Sequence, residues 1–144
     1  MKKTNLELNY LVGIRHDGGL EECIMKAMDL KGTLLENGLY STGPVILKTG
    51  FCDHNFCNAE IMLPICTRLE IDDKHNLFFI NRLAVPECYM KRMFVLEEGL
   101  ESCLHSFIEE IENNQLPYEE TFYIILIEVF GEIILDIYVP VKKG

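Results

Sequence analysis

The sequence has no tryptophan and few basic side chains, with 13 Lys and Arg against 23 Asp and Glu and a formal net charge of −10. Binding to the phosphates of a nucleic acid requires clustered Lys and Arg, so we expect no nucleic-acid partner. An acidic surface suits a cationic ligand or a basic protein partner, and it also keeps a protein in solution.

Long apolar runs are also missing. No stretch of about 18 apolar residues could span a membrane, and no apolar run of signal length follows the opening MKKTNLELNY. The sequence therefore predicts a cytoplasmic protein that does not interact with a membrane. The six cysteines lie mostly inside periodic segments, which indicates reduced, partly buried thiols rather than a disulfide framework.

Recognisable catalytic motifs are absent, since the sequence contains no GxSxG, P-loop or GxGxxG. We therefore predict no catalytic residue and no cofactor. Cys52, His54 and Cys57 form a CxHxxC cluster, but no second Cys/His pair supplies the remaining ligands of a zinc site. We predict no metal, and we interpret residues 53–55 as a polar turn.

Strand and helix patterns alternate along the chain. Its 144 residues, 49% of them apolar, suffice for a single domain with a buried core, spanning residues 1–144. Apolar patterns predict strands at residues 6–14, 45–51, 59–67 and 77–94, and Pro86 predicts a bulge, bend or edge in the last of these. Helical spacing predicts helices at residues 20–36 and 97–112.

An internal repeat organises these elements. The sequence GLEEC at residues 19–23 recurs as GLESC at 99–103, and EIMLPI at 60–65 recurs as DIYVPV at 136–141. Two halves, approximately residues 5–67 and 77–141, each follow the order strand, helix, strand, strand, with a charged boundary at 69–76. This predicts an α+β fold, a pseudo-twofold duplicated βαββ with an antiparallel sheet, two helices on one face and a site between the halves.

The last segment, residues 122–141, has two β-rich runs on either side of residues 131–132 and predicts a tight hairpin. If Phe130 lies opposite Ile133, Glu128 shares a face with the apolar residues of both strands. A turn one residue longer would place Glu128 beside Asp136 and Tyr138 instead, and the sequence leaves both registers open. In either register a buried carboxylate must be paired, hydrogen-bonded or kept for a ligand.

The segments Gly43-Pro44, 60–65, 128–130 and 136–141 together resemble the GyrI-like effector-binding domain, and the resemblance covers about residues 6–141. This small-molecule-binding module occurs in gyrase-inhibitor proteins of bacteria, in AraC-type and MerR-type regulators and as stand-alone proteins. The usual Gly-Pro of the second helix is replaced here by Glu98-Gly99-Leu100, and no helix-turn-helix precedes the domain. The resemblance therefore implies a stand-alone ligand-binding protein.

The same resemblance implies that Glu128 lies at the bottom of an aromatic pocket that takes cationic, lipophilic molecules in a groove between the halves. Desolvation makes a bare carboxylate costly, a bound cation offsets that cost, and aromatic faces add cation–π attraction. Glu60 and its repeat partner Asp136 could both line the mouth of the groove, but we interpret them rather as solvent-facing positions on alternating strands. The predicted ligand-binding residues are Glu128, Tyr138, Tyr123, Phe130, Tyr89, Phe79 and Glu60.

Alternatives remain open for Glu128 and for the whole chain. Glu128 could be a structural residue hydrogen-bonded to a tyrosine or to the backbone, or the base of a small hydrolase with a tyrosine as proton donor. A second, weaker resemblance, to small proteins encoded beside type VII secretion toxins, implies a protein-interaction module. Such a chaperone or inhibitor would bind a basic partner, such as a secreted toxin or gyrase, through its acidic surface. The oligomeric state, monomer or homodimer, is not determined.

Overall fold

Six strands and two helices follow one another in the predicted order, strand, helix, strand, strand, twice. The computed structural model describes residues 1–52, 55–70, 76–95 and 99–143. His54 of the CxHxxC cluster and most of the charged boundary at 69–76 therefore lie outside the described residues. The elements are β1 (Lys2–His16), α1 (Leu20–Glu36), β2 (Val45–Cys52), β3 (Asn55–Pro64), β4 (Leu77–Phe94), α2 (Leu100–Asn113), β5 (Thr121–Val129) and β6 (Glu132–Pro140).

The strand pairing shows the duplication directly. β3 pairs with β1 and β2 in the first half, and β6 pairs with β4 and β5 in the second. Two further pairings, β1 with β4 and β2 with β5, join the halves, so the antiparallel strands form one closed sheet in the order β1-β3-β2-β5-β6-β4. Ile61 faces Ile14 and Leu47, and Ile137 occupies the equivalent position between β4 and β5. The predicted duplicated α+β fold is confirmed.

Both helices pack on the same face of the sheet, because each carries one apolar stripe along its length. Leu20 and Cys23 of α1 and Phe107 of α2 belong to one buried cluster with Leu47 and Ile124 of the sheet. A smaller cluster, formed by Leu11, Ile46 and Met62, lies on the other face, and Phe78 and Ile80 of β4 pack against it. Neither helix is long and apolar enough to cross a membrane.

Several element bounds differ from the prediction. β1 begins at Lys2 because its first residues pair with β4, a partner that the polar opening of the chain does not reveal. β3 runs from Asn55 to Pro64 rather than over 59–67, and α2 begins at Leu100 rather than at 97. Opposite Pro86 the register shifts between Thr4 and Leu6, so the predicted irregularity is a bulge.

The turn of the last hairpin lies one residue earlier than predicted. Phe130 and Gly131 form it with φ angles of 52° and 80°, and Glu128 faces Ile133 across the pair. Two consecutive positive φ angles match the right-handed twist of the flanking strands, so Glu132 joins β6 instead of the turn. Glu128 consequently shares a face with the apolar residues of both strands, as in the first of the two registers, and lies close to the turn.

Cys23, Cys66 and Cys88 are free thiols. Burial raises the pKa of the Cys23 and Cys88 thiols from the ordinary value of 9.0 to about 11. Cys66, by contrast, is exposed. A thiol whose pKa is raised by folding stabilises the folded chain below its ordinary pKa, and this stabilisation is lost as the pH rises through the higher value.

We therefore expect the free energy of unfolding to fall between about pH 9 and pH 11. Urea titrations across this range should show a shallower decline for the double variant Cys23→Ala, Cys88→Ala, because each thiol accounts for up to about one proton released. Cys66→Ala is the matched control and should decline as the unmodified protein does. If the free energy of unfolding declined equally with pH in all three proteins, the decline could not be attributed to the Cys23 and Cys88 thiols.

Candidate functional site

A cavity of about 500 Å³ opens where α1 crosses the ends of β2, β5 and β6, at the junction of the two halves. Its walls are largely apolar, and its described lining has two charged side chains, Glu128 and Lys31. The cavity is within the size range of small-molecule sites, which combine apolar walls with a few polar groups. Its lining residues are Ile24, Ala27, Met28, Lys31, Pro44, Val45, Leu126, Ile127, Glu128 and Ile133.

The pseudo-twofold counterpart of this cavity is filled. There α2 crosses the ends of β2, β3 and β5, and the rings of Phe51, Phe56, Phe122 and His105 pack together, with the Phe51 and Phe56 centroids 5.1 Å apart. Phe51 faces Phe56 at the end of its hairpin as Glu128 faces Ile133 at the end of the other. A carboxylate therefore stands where the first half has an aromatic ring.

The helices show the same difference. Leu104, Ile108 and Ile111 are buried in α2, where they close the filled side. The repeat of GLEEC and GLESC aligns these residues with three that line the open cavity. Those counterparts on α1 are Ile24, Met28 and Lys31. The side chain of Met28 is 63% exposed and that of Ile108 is 5% exposed, so the cavity results from these substitutions and not from the fold itself.

The Glu128 carboxylate is exposed at the edge of the cavity. Among the residues that the structure describes, none forms an ion pair or a hydrogen bond with it. The tyrosine or backbone bond expected of a purely structural glutamate is thus not seen in the described chain. An unpaired carboxylate beside apolar walls provides an electrostatic preference for a positively charged guest.

Three other predicted residues lie together on the opposite face of the sheet. Tyr123 and Tyr138 face each other on β5 and β6, and odd numbers on β5 point away from Glu128. The Lys48 ammonium lies 5.8 Å from the Tyr123 ring and 3.7 Å from a carboxylate oxygen of Glu60. Burial raises the pKa of Tyr123 and, in its half-buried position, that of Tyr138.

The remaining predicted residues are dispersed. Tyr89 is buried and its hydroxyl donates a hydrogen bond of 3.1 Å to the carbonyl of Pro117. Phe79 stacks on Tyr10 with ring centroids 6.3 Å apart, and Phe130 stands fully exposed at the hairpin turn. None of these three aromatic side chains lines the cavity. The structure thus brings Glu60, Tyr123 and Tyr138 near one another but places Glu128 in a different site.

Sequence reasoning missed the contribution of α1 to this site. The signal was available in the repeat, because Lys31 stands where the second half has Ile111 and Met28 stands where it has Ile108. An ammonium at a position that is buried in one copy indicates that the other copy is open to water. Comparing the two helices position by position would have located the cavity.

Asp136 is buried, which corrects the interpretation that it faces solvent like its counterpart Glu60. It is 6% exposed, and Arg92 donates to its two carboxylate oxygens at 2.7 and 2.9 Å. Glu60 makes a longer contact of 3.7 Å with Lys48 and remains partly exposed. The two acidic repeat positions therefore have the same kind of partner but different burial, and Asp136 depends more on its cation.

Arg92→Ala should lower the melting temperature by about 5 °C or more, because it leaves a buried carboxylate without its bidentate donor. Lys48→Ala is the matched control, since it removes the cation of the partly exposed counterpart, and it should shift the temperature by less than about 2 °C. Thermal unfolding followed by circular dichroism measures both. Equal shifts in melting temperature for the two variants would show that the burial of Asp136 does not increase the contribution of its cation to stability.

No protein-family model and no curated protein sequence matches the chain. Among solved structures, the C-terminal domain of EcmrR superposes with a TM-score of 0.67 at 14% identity and covers 99% of this chain and 98% of that one. EcmrR in its DNA complex gives 0.69 at 14% identity over 99% of this chain, which spans 58% of the length of that one.

Two further structures share the fold. SAV2435, solved bound to tetraphenylphosphonium, gives a TM-score of 0.55 at 12% identity and covers 99% of this chain and 94% of that one. A hydrolase from Listeria innocua gives 0.58 at 8% identity over 98% of this chain and 92% of that one. At these identities the likeness establishes the fold, which the chain shares with the EcmrR C-terminal domain, and function must be argued from the site.

Proposed function

We propose that the chain is a GyrI-like effector-binding domain that holds a small lipophilic cation in the cavity between α1 and the β5–β6 hairpin. The observation that carries the proposal is the unpaired Glu128 carboxylate at an apolar cavity whose pseudo-twofold counterpart is filled with aromatic rings. The same fold in SAV2435, solved with tetraphenylphosphonium, supports this class of ligand. A cytoplasmic location and a single domain over residues 1–144 belong to the same proposal.

Most of the affinity comes from removing the ligand's apolar surface from water, at about 25 cal/mol per Å². The charge of Glu128 adds selectivity rather than most of the binding energy, because the carboxylate is exposed and screened by solvent. Lys31, half-buried at the same cavity, can extend its ammonium toward water when a cation binds. The expected preference for cations over neutral or anionic molecules of equal shape is therefore moderate.

Glu128→Gln should weaken binding of tetraphenylphosphonium about three- to tenfold and leave the affinity for the anionic isostere tetraphenylborate unchanged or higher. Isothermal titration calorimetry with both ions measures the change in their ratio. The melting temperature should move by less than about 2 °C, since the carboxylate has no described partner to lose. A clear fall in melting temperature with an unchanged ratio would end the proposal.

Val45→Phe tests whether the ligand occupies the cavity, because it fills the cavity without changing its charge. Val45 lines the cavity, and its pseudo-twofold counterpart is Phe122 of the filled site, so the larger ring copies the packing that closes the other side. This variant should weaken both ions by at least about tenfold without lowering the melting temperature. Unchanged affinities would place the ligand outside the cavity.

Hydrolysis is less well supported by the geometry, although one structure with this fold is a hydrolase. A base and a proton donor must both reach the reacting atoms. The described lining of the Glu128 cavity contains no tyrosine, and Tyr123 and Tyr138 point to the other face of the hairpin. We therefore propose binding without chemistry at this site.

A further inference from the structure

The turn end of the β5–β6 hairpin carries an exposed apolar surface, which combines the turn residue Phe130 with side chains on the face away from Glu128. This tip surface consists of Phe94, Val129, Phe130 and Ile134. Phe94 lies directly opposite Ile134 and is 57% exposed, while Val129 and Phe130 are exposed at the turn. Exposed apolar residues scattered singly are common, but a group at one hairpin end that includes two exposed phenylalanines indicates an interaction site.

The backbone at Phe130 strengthens this interpretation. Its φ of 52°, followed by 80° at Gly131, places Phe130 at the first position of a turn that favours Asn, Asp or Gly. An aromatic residue in the left-handed region costs conformational free energy, and its fully exposed ring recovers none of that cost by burial within the chain. Such a side chain can offset this cost by contact with another molecule.

The pseudo-twofold counterpart again provides an internal comparison. Counting along β1 and β4 from the equivalent residues Ile14 and Lys91, the residue of the first half that corresponds to Phe94 is Asp17. The duplicated fold therefore does not require an apolar side chain at the position of Phe94.

Charge determines which partner fits. The tip surface is bordered by Glu132, with Glu128 on the other side of the strand, and residues 121–141 contain no Lys or Arg. Arg92, on the neighbouring strand β4, is paired with Asp136. A second copy of the chain, itself carrying a net charge of −10, would bring like charges together. A basic partner would be attracted both by these carboxylates and by the overall field.

We propose that the tip surface docks a basic segment of another protein. The Phe130 ring enters an apolar pocket or stripe of that segment, and its Lys or Arg side chains lie opposite Glu132. Aromatic anchors surrounded by complementary charges are the usual centre of such contacts. The site is distinct from the ligand cavity, because no residue of the tip surface belongs to the cavity lining.

The test uses the full chain and a fluorescein-labelled amphipathic peptide of Leu and Lys, with a Leu and Glu peptide of the same pattern as the charge control. Fluorescence anisotropy should show binding of the Leu and Lys peptide alone. Phe130→Asn should weaken it at least about tenfold while preserving the melting temperature, because Asn suits the left-handed turn position. Glu132→Gln should weaken it about threefold and reduce its dependence on salt.

Tyr40→Asn is the matched control, since Tyr40 is an exposed aromatic residue outside the tip surface and its replacement should leave the affinity unchanged. The proposal is overturned if the unmodified protein does not bind the Leu and Lys peptide, or if Tyr40→Asn weakens binding as much as Phe130→Asn. It is also overturned if sedimentation shows dimers of the unmodified protein that Phe130→Asn dissociates, because the occupant would then be a second copy.

Discussion

The pairing of β2 with β5 is the contact on which the rest of this structure depends. It runs from Val45 opposite Leu126 to Gly50 opposite Thr121 and joins the two strands that would otherwise be free edges of the sheet. Because the pairing is antiparallel, it carries the end of each hairpin beneath the helix of the other half. The floor of the cavity, formed in part by Val45 and Leu126, exists only when this pairing is made.

On this symmetric frame the two ends are used differently. At one end, rings from β2, β3, β5 and α2 pack at centroid distances of about 5 to 6 Å and complete the core. At the other end, smaller or polar side chains at the equivalent positions leave space and a carboxylate. One fully packed junction between the halves thus supports an open one, which is what a preformed binding site requires.

The sequence revealed the elements more reliably than the site. The bounds of α1 were predicted correctly, because Leu20, Cys23, Ala27, Leu30 and Leu34 follow helical spacing, and the repeat predicted the duplication. The position of the hairpin turn was not recoverable, since Phe130 adopts a backbone conformation that its side chain disfavours. Tyr123 and Tyr138 were grouped with Glu128 although strand alternation separates them, and the β2–β5 closure joins residues too distant in sequence for local patterns to show.

Because the two halves belong to one chain, equivalent positions in them can carry different residues. Each half is incomplete alone, because β1–β4 and β2–β5 are contacts between halves, so the molecule is built like a symmetric dimer whose subunits are joined. In a true homodimer every residue occupies both equivalent positions, and one side chain would have to serve as both Phe51 and Glu128. Fusion into a single chain removes that restriction, so one junction can be sealed while the other stays open, and the protein has one cavity of this kind per fold instead of two identical ones.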